Sequence, residues 1–216
     1  MCDLDTPFHE GRISMPTNNE DNGSPKRLLV ADDEHLVALG MKTNLEELGY
    51  EVLGPVGDGQ SAIDLCESLK PDMALLDIQM PGLDGIAAAE KIYQTLNIPV
   101  VIFSAYSDPE YVESGSDAGV FGYILKPVTR DQLRVGIDIA WNRFLDSSEQ
   151  LEEIDTLKER LEQRKVIEQA KWILVKRKSV EEPEAMKMLQ KQARNNRRSL
   201  IEVATAVVES DSLLSD

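Results

Sequence analysis

The chain has 216 residues, 42% of them hydrophobic, and a formal net charge of −16, enough for one core of about 120 residues and a smaller appended module. No apolar run approaches the roughly 18 residues a membrane helix needs. Cys2 and Cys66 are too few and too far apart for a disulfide framework or a thiolate metal cluster and suit a reducing, cytoplasmic setting. The charge is uneven: residues 158–200 hold thirteen Lys or Arg against six Glu, net +7, while the remainder holds ten against thirty-three, net −23. Polyanion binding is discouraged over most of the chain and favoured in one short segment.

Residues 1–25 end in a polar, turn-rich stretch with no basic-then-apolar signal pattern, and a disordered tail is expected there. The first apolar run, 27–31, ends in Asp32-Asp33-Glu34. A helix over about 36–48 follows, its apolar face assigned to Leu36, Leu39, Leu45 and Leu48, and it stops at Gly49. Residues 51–54 form the weakest of five strands. A second helix, 59–69, carries Ala62, Ile63, Leu65, Cys66 and Leu69. The third run ends in Asp77 and meets a Pro81-Gly82 turn before a helix opens after Asp84-Gly85 with Ile86, Ala89 and Ile92. The fourth run, 98–103, ends in Ser104-Ala105, and the fifth, 120–125, in Lys126-Pro127. Strands alternating with helices of this length predict an α/β fold with a doubly wound five-stranded parallel sheet.

Such a sheet brings its chemistry to the carboxyl ends of the strands. Acids from the first and third strands, a hydroxyl from the fourth and an amine from the fifth therefore converge. Two or three carboxylates with a carbonyl suit a hard divalent cation such as Mg²⁺, and without one the acids would repel. With it, Asp77 stays ionised and can act as a nucleophile toward phosphorus, while Lys126 and Ser104 neutralise and bond phosphoryl oxygens.

Residues 26–145 closely resemble the receiver domain of bacterial two-component response regulators. The resemblance rests on Val30-Ala31-Asp32-Asp33-Glu34, the run from Leu75 through Asp77 to Gly85, Ser104-Ala105 and Ile124-Leu125-Lys126-Pro127, in that order and spacing. It implies a flavodoxin-like fold and a histidine kinase as phosphodonor. By the same resemblance Asp77 is the phosphoacceptor. Mg²⁺ would be held by Asp33, Asp77 and the Gln79 carbonyl, with Asp32 contributing through water. Ser104 and Tyr123 become the residues that reorient on phosphorylation, and a cis peptide joins Lys126 to Pro127. For Tyr123 the plain alternative is sheet-edge packing.

After Pro127 a last receiver helix carries Leu133, Ile137, Ala140, Trp141 and Phe144 on one face. Asp146-Ser147-Ser148 contains no Gly or Pro, so the helix is expected to continue. Over 146–162, Leu151, Ile154, Leu157 and Leu161 form a narrow stripe that calls for a coiled-coil partner, with a dimer as the expected state. A turn at 179–183 places Pro183 in the first turn of another helix, which carries Met186, Leu189 and Ala193 and breaks at Asn195-Asn196. Ser199 can cap a third helix. A small three-helix domain over 163–210, sharing the long helix, and an acidic tail at 211–216 complete the expected organisation.

Residues 164–174 (Arg164-Lys165-Val166-Ile167-Glu168-Gln169-Ala170-Lys171-Trp172-Ile173-Leu174), with Glu182-Pro183-Glu184-Ala185-Met186-Lys187-Met188-Leu189, Gln192-Ala193-Arg194 and Ile201-Glu202-Val203-Ala204, resemble the ANTAR output domain. That resemblance implies a transcription antiterminator that binds paired stem-loops in nascent RNA. Lys165, Lys171, Trp172, Lys176, Arg177 and Lys178 on one helix, with Lys191, Arg194, Arg197 and Arg198 on or after the next, are the candidate RNA-contacting residues. Trp172 stands where the family usually has Gly. It either stacks on a loop base or enlarges the helix contact, the commoner use of Trp. The resulting expectation is a cytoplasmic, phosphorylation-controlled RNA-binding regulator that dimerises on phosphorylation and is no enzyme beyond its own phosphorylation. Two other readings stay open: a DNA-binding transcription factor, and a phosphate relay whose helices only associate with protein.

Overall fold

A computed structural model describes residues 24–105 and 119–212. The expectations for most of the N-terminal tail, and for residues 213–216 of the acidic tail, lie outside the described residues. The chain falls into two compact units that divide between Asp146 and Ser147.

In the first unit, strands β1 (Arg27–Ala31), β2 (Glu51–Val56), β3 (Met73–Asp77), β4 (Val100–Ser104) and β5 (Val120–Leu125) form one parallel sheet in the order β2-β1-β3-β4-β5. Parallel strands covered on both faces must be apolar throughout, and β3 and β4 are buried at every position. Alternate residues point to opposite sides. Leu29 and Ala31 join the core under α2 (Gly59–Leu69) and α3 (Gly85–Leu96), whereas Leu28 and Val30 join the one under α1 (His35–Glu47) and the start of α4 (Arg130–Lys178).

The helix starts follow from their caps. The Asp58 carboxylate accepts from the Ser61 backbone N–H at 2.8 Å, and Asp84 accepts from that of Ala87 at 2.8 Å, each satisfying an orphan donor of the first turn. Thr129 and Gln132 cap the start of α4 reciprocally, through backbone N–H bonds of 2.9 Å and 3.3 Å.

The expected face of α1 needs correction. Leu36 is 83% exposed and Leu39 is also exposed, while Ala38, Met41 and Leu45 are buried. At 100° per residue, Leu36 and Leu39 fall on the side opposite Met41, Leu45 and Leu48, so the stripe nearest the sheet excludes them. Among the expected contacts of the last receiver helix, Leu133, Ile137, Ala140 and Phe144 are buried and Trp141 is partly so.

Helix α4 runs without a break from Arg130 to Lys178. In the second unit its residues Val166, Ile167, Ala170 and Leu174 pack with α5 (Glu182–Asn196) and α6 (Leu200–Ser212), around Leu189, Ala193, Val203 and Ala204. Ser179 has φ of +53°, Pro183 sits in the first turn of α5, and α5 ends at Asn196 with Arg197 in the left-handed conformation. Ala185 replaces Met186 among the fully buried residues of α5. Ser199 and Glu202 close a reciprocal cap on α6: Glu202 accepts from the Ser199 backbone N–H at 2.6 Å and hydroxyl at 2.9 Å, while the Glu202 N–H donates to Ser199 at 3.2 Å.

Candidate functional site

Pairing in register sets the site. Ala31 lies beside Leu76, Asp77 beside Phe103, and Ser104 beside Leu125. Asp32, Asp77, Ser104 and Lys126 therefore all fall at one end of the sheet. The order β2-β1-β3 puts the switch in winding direction between β1 and β3, the position at which open α/β sheets bind their ligands.

Asp32 and Asp77 are buried and Asp33 is exposed, and one carboxylate oxygen from each lies within 4.8 Å of the others. The Lys126 Nζ bridges the two buried acids, 2.9 Å from Asp32 Oδ2 and 3.1 Å from Asp77 Oδ1. It also lies 5.2 Å from the centre of the Phe103 ring. The second oxygen of Asp32 accepts from the Glu34 backbone N–H at 2.8 Å. Desolvation holds the Asp77 carboxyl above the usual carboxylate range; Lys126 pulls the other way and Asp32 adds to the rise. Burial pushes the Lys126 amine down, but its hydrogen bonds to Asp32 and Asp77 leave it raised overall, so it remains a cation. Three carboxylates with no nitrogen or sulfur donor, one of them open to water, fit a hard oxygen-seeking cation such as Mg²⁺.

Ser104 is buried at the end of β4, and its carbonyl accepts from the Lys126 backbone N–H at 2.8 Å. Tyr123 is half-buried against the α2–α3 core, and burial raises its hydroxyl pKa. Gln79 lies exposed in the connection after Asp77. Lys126–Pro127 is cis as expected, and Gly54–Pro55 is cis too. The Phe103 ring beside Lys126 and the close approach that requires glycine at Gly85 were not foreseen from the sequence. A Cβ at Gly85 would collide with the Asp77 backbone carbonyl, so glycine lets α3 begin directly against the end of β3.

The second unit sorts the candidate cations. Lys171 is buried, with its amine 2.8 Å from Glu168 and 2.6 Å from Glu182. The hydrogen bond to Glu168, then that to Glu182, raises its pKa. The expectation that its head group stays free for RNA is therefore corrected: Lys171 ties α4 to the first turn of α5. Arg177 pairs with Asp211 at 2.5 Å, tying α4 to α6. Lys165 pairs with Glu162 on the surface. Lys176, Lys178, Lys191, Arg194, Arg197 and Arg198 are exposed. Lys187, missed in the sequence, joins Lys191 and Arg194 on the side of α5 opposite its buried Ala185 and Leu189. Trp172 does not enlarge the core; it is exposed.

Residues 28–138 match the response regulator receiver domain family, and residues 155–208 match the ANTAR domain family. The chain is 39% identical over 198 residues to the transcriptional regulatory protein PdtaR of Mycobacterium tuberculosis, covering 92% of this chain and 97% of that one. It is 36% identical over 122 residues to the chemotaxis protein CheY of Treponema pallidum, covering 55% of this chain and 85% of that one. Among solved structures, the signal receiver domain of a modulated diguanylate cyclase from Desulfovibrio desulfuricans G20 superposes with a TM-score of 0.52 at 32% identity. That match covers 57% of this chain and 98% of the other.

Proposed function

Because this chain belongs to the response regulators, with a receiver domain followed by an ANTAR domain, we propose that it is switched by phosphorylation of Asp77 and acts by binding stem-loop RNA. The observation that carries this reading is the strand-end cluster of Asp32, Asp33, Asp77 and Lys126. In a transfer from a histidine kinase or a small acyl phosphate, an Asp77 oxygen forms a new bond to phosphorus as the donor's bond to phosphorus breaks. Lys126 remains charged throughout and neutralises phosphoryl oxygens, and Ser104 donates to another. A bound Mg²⁺ would supply the remaining charge compensation, held by Asp33, Asp77 and the Gln79 carbonyl, with Asp32 acting through water. Receiver and ANTAR domains are regulatory, and the proposed chemistry is confined to the protein's own phosphorylation.

Reorientation of Ser104 and Tyr123 is the proposed link to output. A tenfold shift in association requires only about 1.4 kcal/mol, within the usual coupling range. Phosphorylation then favours a homodimer through the receiver or the α4 segment 146–162. The ANTAR unit presents Lys176, Lys178, Lys191, Arg194, Arg197 and Arg198 to RNA phosphates, and a stabilised stem-loop would preclude a terminator hairpin in the same transcript. No helix among the described residues is long and apolar enough to cross a membrane, which supports a cytoplasmic setting. The direct test is labelling. With Mg²⁺ and acetyl phosphate the protein should gain one acid-stable, base-labile phosphoryl group, and Asp77→Asn should gain none. Equal labelling of that variant would move the chemistry to another residue.

A further inference from the structure

Every residue from 149 to 162 is exposed, so nothing among the described residues covers this stretch of α4. Yet Leu151, Ile154, Leu157, Leu161 and, further on, Trp172 are between 45% and 58% exposed, and they share one side of the helix. Trp172 lies eighteen residues after Ile154, about five turns, and eleven after Leu161, about three. Ala170 and Leu174, two residues to either side of Trp172, pack into the three-helix core. The indole therefore faces directly away from its own unit, in line with the aliphatic stripe.

The same helix is divided in charge. Residues 146–162 hold seven acids against two bases, net −5, and residues 163–178 hold six bases against one acid, net +5. Two copies side by side in parallel would set acid on acid, base on base, Lys158 on Lys158 and Lys165 on Lys165. Reversing one copy sets each acidic half on a basic half.

We propose that this outward face of α4 pairs with the same face of a second copy in antiparallel register, packing Trp172 of each copy against Ile154 of the other. A twofold axis near residue 163 sets Leu151 against Val175, Ile154 against Trp172, Lys158 against Glu168, and Leu161 against the aliphatic stem of Lys165. These are the a-to-d pairings of an antiparallel coiled coil, and the interface is self-complementary as a twofold contact must be. RNA is the weaker occupant of this face, because four aligned aliphatic side chains offer no phosphate or base contact; in the antiparallel register Val175, Trp172 and the Lys165 stem of the second copy remove Leu151, Ile154 and Leu161 from water. The inference rests on the dimer reading above and adds its orientation and a role for Trp172.

The test uses the full chain with Cys2→Ser; the remaining Cys66 is buried. Sedimentation with and without phosphodonor comes first, and a monomer under both conditions would overturn the dimer reading itself. With a dimer in hand, a short bismaleimide should cross-link a mixture of Ile154→Cys and Trp172→Cys chains, and neither chain alone. In this register the two residues 154 are about 27 Å apart along the helix. The pair Leu151→Cys and Val175→Cys repeats the test with Trp172 intact. Cross-linking of each single variant with itself would establish the parallel arrangement and overturn the proposal; so would a dimer that gives no mixed product. Trp172→Ala should weaken dimerisation at least tenfold. Unchanged dimerisation with lowered hairpin affinity would instead assign the indole to RNA.

Discussion

Lys171 and Arg194 look alike in the sequence, each a cation in a basic run, and the structure gives them opposite duties. Lys171 is buried between Glu168 and Glu182, so Lys171→Glu brings three carboxylates together at the α4–α5 junction. Arg194 is exposed, its Nε donating to the Gln190 carbonyl at 3.4 Å, so Arg194→Glu should change stability by no more than about 0.5 kcal/mol. Thermal unfolding followed by circular dichroism should show a clear loss for the first and little for the second, whereas RNA affinity should fall for Arg194→Glu with the fold intact. Equal stability of the two variants would return Lys171 to the surface set. The i, i+3 pair of Glu168 and Lys171 is local to one helix, but it was not read from the sequence, where Lys171 was assigned to RNA. The second partner was not legible, because Glu182 reaches Lys171 only after the chain turns at Ser179. The receiver site was far more legible, because parallel topology dictates that the ends of β1, β3, β4 and β5 meet. Asp32, Asp77, Ser104 and Lys126 each ended an apolar run. Phe103 and Gly85 were not legible, since ring-to-amine packing and close backbone approach leave no spacing signal.

Helix α6 shows how an element depends on its first turn. Its start is fixed by the mutual bonds of Ser199 and Glu202, and Ser199→Ala should cost about 0.5–2 kcal/mol in chemical denaturation. Glu202 adds a pH dependence. The Ser199 backbone N–H, then its hydroxyl, holds the Glu202 carboxyl below the usual carboxylate range. A depressed folded-state pKa contributes stability that is full above the ordinary carboxylate value and is lost as pH falls through the lower one. Unfolding of the wild type should lose this contribution on acidification below about pH 4.3, and Glu202→Gln should lack that part of the dependence. Identical pH profiles would remove the carboxylate from the cap. The stop at Gly49 and the start at Asp84 were equally readable from local chemistry. The face of α1 was misread because Leu36 and Leu39 have the right residue type at the wrong angle: periodicity identifies a helix before it identifies which stripe the sheet will cover.

At the scale of the whole molecule, charge separates two tasks. The remainder of the chain is strongly acidic and disfavours polyanions, while residues 158–200 carry +7, the charge that the proposed RNA binding requires. A switch that changes association of the chain then changes how many ANTAR units meet one transcript. On the proposed function, a phosphoryl group on Asp77 raises affinity for hairpin RNA. The decisive measurement is hairpin affinity at fixed salt for the wild type and Asp77→Asn, each with and without Mg²⁺ and acetyl phosphate, with duplex DNA as competitor. The phosphorylated wild type should bind the hairpin about tenfold more tightly, matching a coupling of about 1.4 kcal/mol, with no response from Asp77→Asn and little competition from the duplex. Equal affinity in all four samples, or equal preference for duplex DNA, would contradict the proposed function.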